Sequence, residues 1–202
     1  YFKVESYREG NVKSVEFEYG EITIDREIIH SDKKDGTYVM FKPDASVFKN
    51  YHFIPEYLED QLWNYAFLNS GLTIKYNNKK IHSENGLLDL LERKTDIDSV
   101  RYPIIHLKGD DIEFAMTHTN QYGEEYFSFV NGQYTTQGGT HQAAFREAIV
   151  KTVREFYKKD YDSTDIRASI SSSISVRIQE PIFESQTKTK LGSQNISPGG
   201  NL

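Results

Sequence analysis

Apolar and polar positions alternate through "FKVESYREGNVKSVEFEYGEITI" on either side of "EGN", and this period of two predicts a β-hairpin. A second alternating run, "GTYVMFKP" over residues 36–43, predicts a strand closed by Pro43. Near Pro55 the period becomes helical. Leu58, Leu62 and Ala66 recur along one stripe with Trp63 and Phe67 beside it, and the helix ends near "NSG". "GLTIKYNNKKIHS" predicts a hairpin with Asn77 and Asn78 at its tip. "SENGLLDLLERK" predicts a short helix capped by Ser83 or Asn85.

"TDIDSVRYP" is polar and aperiodic, and a domain boundary is expected there, so that residues 1–96, 97–192 and a flexible 193–202 tail form the segments of the chain. After it come three strands in meander order, "PIIHLKG", "DIEFAMTHT" and "EYFSFVNG". The clearest helix covers residues 141–159, with Phe145, Ala148, Ile149, Val153 and Phe156 as its core stripe and Lys158 and Lys159 suiting its negative end. A last strand, "SISSSISVRIQ", puts Ile170, Ser172, Ile174, Val176 and Ile178 on one face and polar residues on the other. Strand, strand, strand, helix, strand describes a sheet with a helix on one face, an α+β fold.

The 202 residues suffice for one large domain or two small ones, and 14 Tyr and 12 Phe supply large buried areas. The absence of cysteine removes disulfides, thiolate metal sites and cysteine nucleophiles together. No run approaches a membrane span and no secretory signal is visible, so a cytoplasmic setting with no membrane partner is expected. A strand pattern that starts at residue 1 reads as a piece cut from a longer chain. The net charge of −6 argues against a wide basic clamp for nucleic acid while leaving room for local basic spots.

Phosphate loops, G-x-G-x-x-G and H-E-x-x-H are absent, and no two of the six histidines sit four apart, so no metal site is expected. "GGTH", residues 138–141, precedes the long helix. It reads either as a loop with Thr140 as cap, or as a place where an anion or a partner chain approaches the helix end. Arg146, Arg154 and Lys158 form a row with Val150 on the solvent side of that helix, either a solvated face or a functional one. In "FESQTKTKLGSQ" a glutamine amide and lysine ammoniums are threaded through threonines. That set is either an ordinary solvated strand end or a loop reaching for an anion.

"GGTHQAAF", "DIRASISSSISVRI" and "FESQTKTKLGS", in that order, resemble the transducer domain of type IIA DNA topoisomerase ATPase subunits. Upstream, "DGTYVMFKPDASVF" and "LWNYAFLNSGLTI" resemble the end of the GHKL-type ATPase domain of the same subunits, and "HFIPEYLEDQLWNYAFLNSG" is more similar to the topoisomerase IV branch than to the gyrase branch. The resemblance implies that residues 1–96 are the C-terminal part of the ATPase domain, and that 97–192 are a transducer of four strands and a long helix. Its fold would be ribosomal-protein-like, with a left-handed β-α-β crossover. It further implies that Gln186 and Lys188 reach the γ-phosphate of ATP, with Lys188 as the catalytic residue. Thr37 and Val39 would belong to the adenine pocket, and Arg146 would face the cavity that passes DNA.

The family's E-x-x-x-N helix, D-x-G-x-G turn and glycine-rich lid are missing from these residues, and Ala168 and Ser169 stand where the family often has an acidic or amide residue and a glycine. ATP and Mg²⁺ are therefore implied for the intact subunit, with neither expected on this piece alone. The implied partners are DNA, the cleavage (A) subunit and a second copy of the ATPase (B) subunit, joined through the missing N-terminal region. The alternative is a stand-alone interaction module of the mismatch-repair or chaperone type. An upstream E-x-x-x-N segment would decide for the enzyme, and a start codon just before Tyr1 would decide for the module.

Overall fold

The computed structural model describes residues 1–197 and 200–201, and the chain divides into two compact units, Tyr1–Ile54 and Pro55–Leu202.

In the first unit β1 (Phe2–Arg8), β2 (Asn11–Glu18), β3 (Glu21–Asp25), β4 (Ile29–His30) and β5 (Gly36–Phe41) build one antiparallel sheet of order β3-β2-β1-β5, with β4 on β2. The predicted hairpin is present. Glu9 at φ 52° and Gly10 at φ 74° give its two-residue turn the left-handed backbone that matches the twist of paired strands. Register sets Phe2, Val4 and Ser6 opposite Phe41, Val39 and Thr37, so these side chains share a face. Ser14 is the one buried residue described in this unit, while Ile22, Val39 and Phe41 are exposed.

The second unit runs α1 (Pro55–Leu68), β6 (Thr73–Tyr76), β7 (Lys79–His82), α2 (Leu87–Lys94), β8 (Ile105–Lys108), β9 (Ile112–His118), β10 (Glu125–Val130), β11 (Gln133–Tyr134), α3 (Thr140–Tyr157), α4 (Ser163–Arg167) and β12 (Ile170–Val176), then β13 (Asn195–Ser197) paired with β14 (Gly200–Asn201). Of the tail expected over 193–202, residues 198, 199 and 202 lie outside the described residues.

The meander expectation is corrected. The sheet order is β11-β10-β12-β9-β8, so β12 lies between β9 and β10, parallel to β10 and antiparallel to β9. A parallel pair needs a crossover, and α3 supplies it. The single covered face is corrected too. On one face Ile170, Ile174 and Val176 pack with Val130, Leu191 and α3 residues Phe145 and Ile149. On the other, α2 residues Leu87, Leu90 and Leu91 pack with Phe67, Ala115 and Phe129.

The serines expected on a polar face are buried under α2, which is possible because their hydroxyls find partners. Ser173 Oγ donates to the Leu87 carbonyl at 3.2 Å, and Ser171 Oγ lies 3.1 Å from Thr95 Oγ1. Because α2 joins this core, it is counted with the second of the two compact units, which meet at residues 54 and 55.

Two helix details also differ from expectation. The α2 N-cap is Gly86, with no side-chain cap. The Leu87 N–H instead donates to Glu113 Oε1 on β9 at 2.9 Å. Along α3, Ala148 and Phe156 are exposed, while His141 and Val150 join the buried set.

Candidate functional site

Residues 183–191 form a closed loop. Phe183 bridges Leu191, and the Glu184 N–H donates to the Lys190 carbonyl at 3.1 Å, with Lys190 Nζ on Glu184 Oε1 at 2.8 Å. At the tip the Lys188 N–H donates to the Ser185 carbonyl at 3.0 Å, and Lys188 holds a left-handed φ of 55°. Ser185 Oγ lies 2.7 Å from Thr187 Oγ1, so the short hydroxyls shape the turn by bonding one another. Gln186 and Lys188 are exposed, and among the described residues neither side chain has a hydrogen-bond or ion-pair partner. The turn uses its small side chains for its own shape and leaves an amide and an ammonium free.

The base of this loop is fastened to the start of α3. The Gln137 N–H donates to the Thr189 carbonyl at 2.9 Å, the Leu191 N–H to Gly138 at 3.1 Å, and the Thr140 N–H to Leu191 at 3.1 Å. Gly139 has φ 134°, and a Cβ there would stand 2.4 Å from the Leu191 carbonyl oxygen. The glycine pair therefore serves a close approach of the chain to itself. Thr140 does not cap the helix as expected: the N-cap is Gly139, and the Thr140 hydroxyl donates to the Ser193 carbonyl.

Next to this joint His141 is 1% exposed, its Nε2 lies 3.2 Å from Thr135 Oγ1, and its Nδ1 has no partner. Burial lowers its pKa to about 4, so the ring is neutral near pH 7. Sequence reasoning passes over His141. Its spacing of four from Phe145 and of eight from Ile149 is the signal that could have found it.

Arg146 lies on α3 and is not a free cation. Its Nε and Nη2 donate to the two Glu124 oxygens at 2.9 Å each, and its guanidinium stands 5.6 Å from the centre of the Tyr126 ring. Arg167 and the Tyr126 hydroxyl also donate to Glu124, at 3.3 and 2.8 Å. Desolvation pushes the Glu124 carboxyl up, but these donors outweigh it and hold it below the usual range. The same bond raises Arg146, and burial followed by the Glu124 bond raises Tyr126. Arg154 is likewise engaged, by the Tyr161 carbonyl and Asp160.

Glu124 and Tyr126 are only two positions apart, but Arg146 and Arg167 come from distant segments, so the cluster does not stand out in the sequence. Thr37 and Val39 belong to the first unit, where both lie exposed on β5 and share a face. Among the described residues no group of three or more His, Asp or Glu is placed to hold a metal ion, and no helix is long and apolar enough to cross a membrane.

The fold and this site define an α+β chain in which a donor-bearing loop is tied to the helix of a βαβ crossover. The chain belongs to the DNA gyrase B family, whose model matches residues 72–200. It is 48% identical to the B subunit of DNA topoisomerase 4 from Borreliella burgdorferi, over 100% of this chain and 33% of that protein. It is 32% identical to the B subunit of DNA gyrase from Cytophaga aurantiaca, over 96% of this chain and 46% of that protein. Among solved structures it is similar to the 43K ATPase domain of Thermus thermophilus gyrase B in complex with an aminocoumarin. That match has a TM-score of 0.75 and 25% identity, and covers 95% of this chain and 58% of that one. The chain thus spans a third to a half of the length of these two sequence relatives.

Ser169, where the resemblance leads one to expect glycine, holds φ 66°, and its carbonyl accepts the Thr119 N–H at 2.8 Å.

Proposed function

We propose that this chain is the part of an ATP-dependent type IIA topoisomerase ATPase subunit, of the topoisomerase IV kind, that senses nucleotide state and couples it to DNA strand passage. In this reading residues 1–96 complete the ATPase domain, 97–192 are the transducer and 193–202 its tail. Lys188 and Gln186 hold the γ-phosphate, Thr37 and Val39 belong to the adenine pocket, and Arg146 faces the transported DNA. The intact subunit uses ATP and Mg²⁺, dimerises, works with the cleavage subunit in the cytoplasm, and decatenates or relaxes DNA.

One observation carries the reading. Gln186 and Lys188 are exposed and unbonded among the described residues, on a turn whose own hydroxyls and main chain already satisfy one another. Those two donors suit a terminal phosphate. An ammonium is a compact point charge, and an amide adds a neutral N–H beside it. ATP, when bound, supplies the phosphoryl group; the loop neutralises its charge and loses that partner once the group has left. The base of the loop is bonded to the start of α3. A shift of the loop therefore moves the helix that carries Arg146.

Replacing Lys188 by alanine in the full-length subunit should lower ATP turnover about 100-fold, the loss typical of removing one well-placed charge donor. A steady-state ATPase assay with and without DNA reads it. Turnover at the wild-type rate removes Lys188 from the site.

A further inference from the structure

Donors from three elements converge on the Glu124 carboxylate: both forks of Arg146 from α3, Nε of Arg167 from α4 and the hydroxyl of Tyr126 from β10. The Glu124 side chain is 23% exposed, Arg146 39% and Arg167 18%. An ordinary surface pair joins one cation to one anion and contributes little. Here a single carboxylate sits in a bidentate fork and draws in a second guanidinium, the geometry by which arginine also grips phosphate oxygens. Beside it a cavity of about 610 Å³ opens, lined by Glu124, Tyr126, Arg146 and Gln142, with Asp165 also on its wall. An incoming anion can reach Arg146 through that space without parting the core.

We propose that Glu124 is an internal competitor for the DNA backbone. Its carboxylate occupies Arg146 and Arg167, and an arriving phosphodiester displaces it and takes both guanidiniums. Arg167 is thereby a second DNA-contacting residue, and Glu124 sets how tightly this face holds DNA. The proposal rests on the reading that Arg146 faces DNA. It has a physical consequence for that reading: affinity at this face is measured net of the broken carboxylate contacts, so a bound segment is held weakly enough to move on.

The test is a double-mutant cycle in the full-length subunit, measuring affinity for a linear mixed-sequence DNA duplex across a salt series. Glu124→Gln keeps an acceptor for the arginines while removing the charge, so the fold is expected to persist, which a thermal melt checks. It should bind DNA about fivefold tighter, the upper range for releasing a partly exposed pair. The slope of log affinity against log salt should steepen by roughly one phosphate contact.

Glu147→Gln, an exposed charge on α3 next to Arg146, is the control and should change affinity less than about twofold. The gain from Glu124→Gln should shrink when combined with Arg146→Gln and vanish when Arg167→Gln is added as well, and Arg167→Gln should weaken binding by itself. The proposal is overturned if Glu124→Gln binds no tighter than Glu147→Gln, if the gain survives loss of both Arg146 and Arg167, or if Arg167→Gln leaves affinity unchanged. Should Arg146→Gln alone leave DNA affinity at the wild-type value, it is the placement of Arg146 on the DNA face that fails.

Discussion

Lys188 shows how little of a residue's role lies in its type. Lysine is common at strand ends, and nothing in its spacing separates a solvated tail from a phosphate ligand. What distinguishes Lys188 is a left-handed backbone inside a turn whose carbonyl and hydroxyls are already bonded, so that its ammonium has no partner of its own among the described residues. Lys190, two positions on, has the same chemistry and is paired with Glu184. Asp89 offers a contrast at the same scale. Burial pushes its carboxyl up, but hydrogen bonds from Ser83, Asn85 and Glu84 outweigh that and lower its pKa below the usual range.

The sign of the Asp89 effect follows from linkage. A carboxylate whose folded pKa is depressed contributes its full stability above the unfolded value near 3.9, and that stability is lost as pH falls through the folded pKa. Asp89→Asn should therefore cost about 1 kcal/mol at pH 7, a figure already reduced for solvent screening. The gap between the two proteins should close progressively in urea melts below about pH 4. A gap that stays constant down to about pH 2 would show that the charge of Asp89 does not matter.

At the scale of elements, periodicity locates most of the helices and strands and misjudges their surroundings. The stripe of α3 points Ala148 and Phe156 inward, whereas Val150 and His141 take the buried places. "SISSSIS" reads as half polar, yet β12 is central and covered on both sides; on the α2 side this is possible because the Ser171 and Ser173 hydroxyls bond to Thr95 and to the Leu87 carbonyl. "GGTH" is legible as a close approach, but its partner is Leu191, some fifty positions away, and no local pattern contains that. Gly139→Ala should place a Cβ against the Leu191 backbone at a strained φ and cost roughly 2–4 kcal/mol. Chemical unfolding of the full chain measures this. A variant as stable as the wild type would show that the loop base does not dock on α3 as described.

For the molecule as a whole, every buried apolar side chain described lies in the unit from Pro55 onward; the first unit buries only Ser14. Buried apolar area is the dominant favourable term in folding, and a single sheet with exposed faces has little of it. A chain starting at Pro55 should therefore unfold cooperatively on heating, followed by near-UV circular dichroism. Residues 1–54 alone should show no such transition. A cooperative melt of the short piece would locate a second core where none is described.

By itself the sequence determined the kinds of elements, the turns that join neighbours and the resemblance to a family. These depend on period, on Gly and Pro backbone limits, and on residues near one another along the chain. Tertiary structure alone decided that β12 inserts between β9 and β10, that Glu113 caps α2, that Gly139 meets Leu191, and that Glu124 gathers Arg146, Arg167 and Tyr126. Most of those join groups from distant segments. Hydrogen bonds and ion pairs act over a few ångströms of space, whatever the number of residues between the partners.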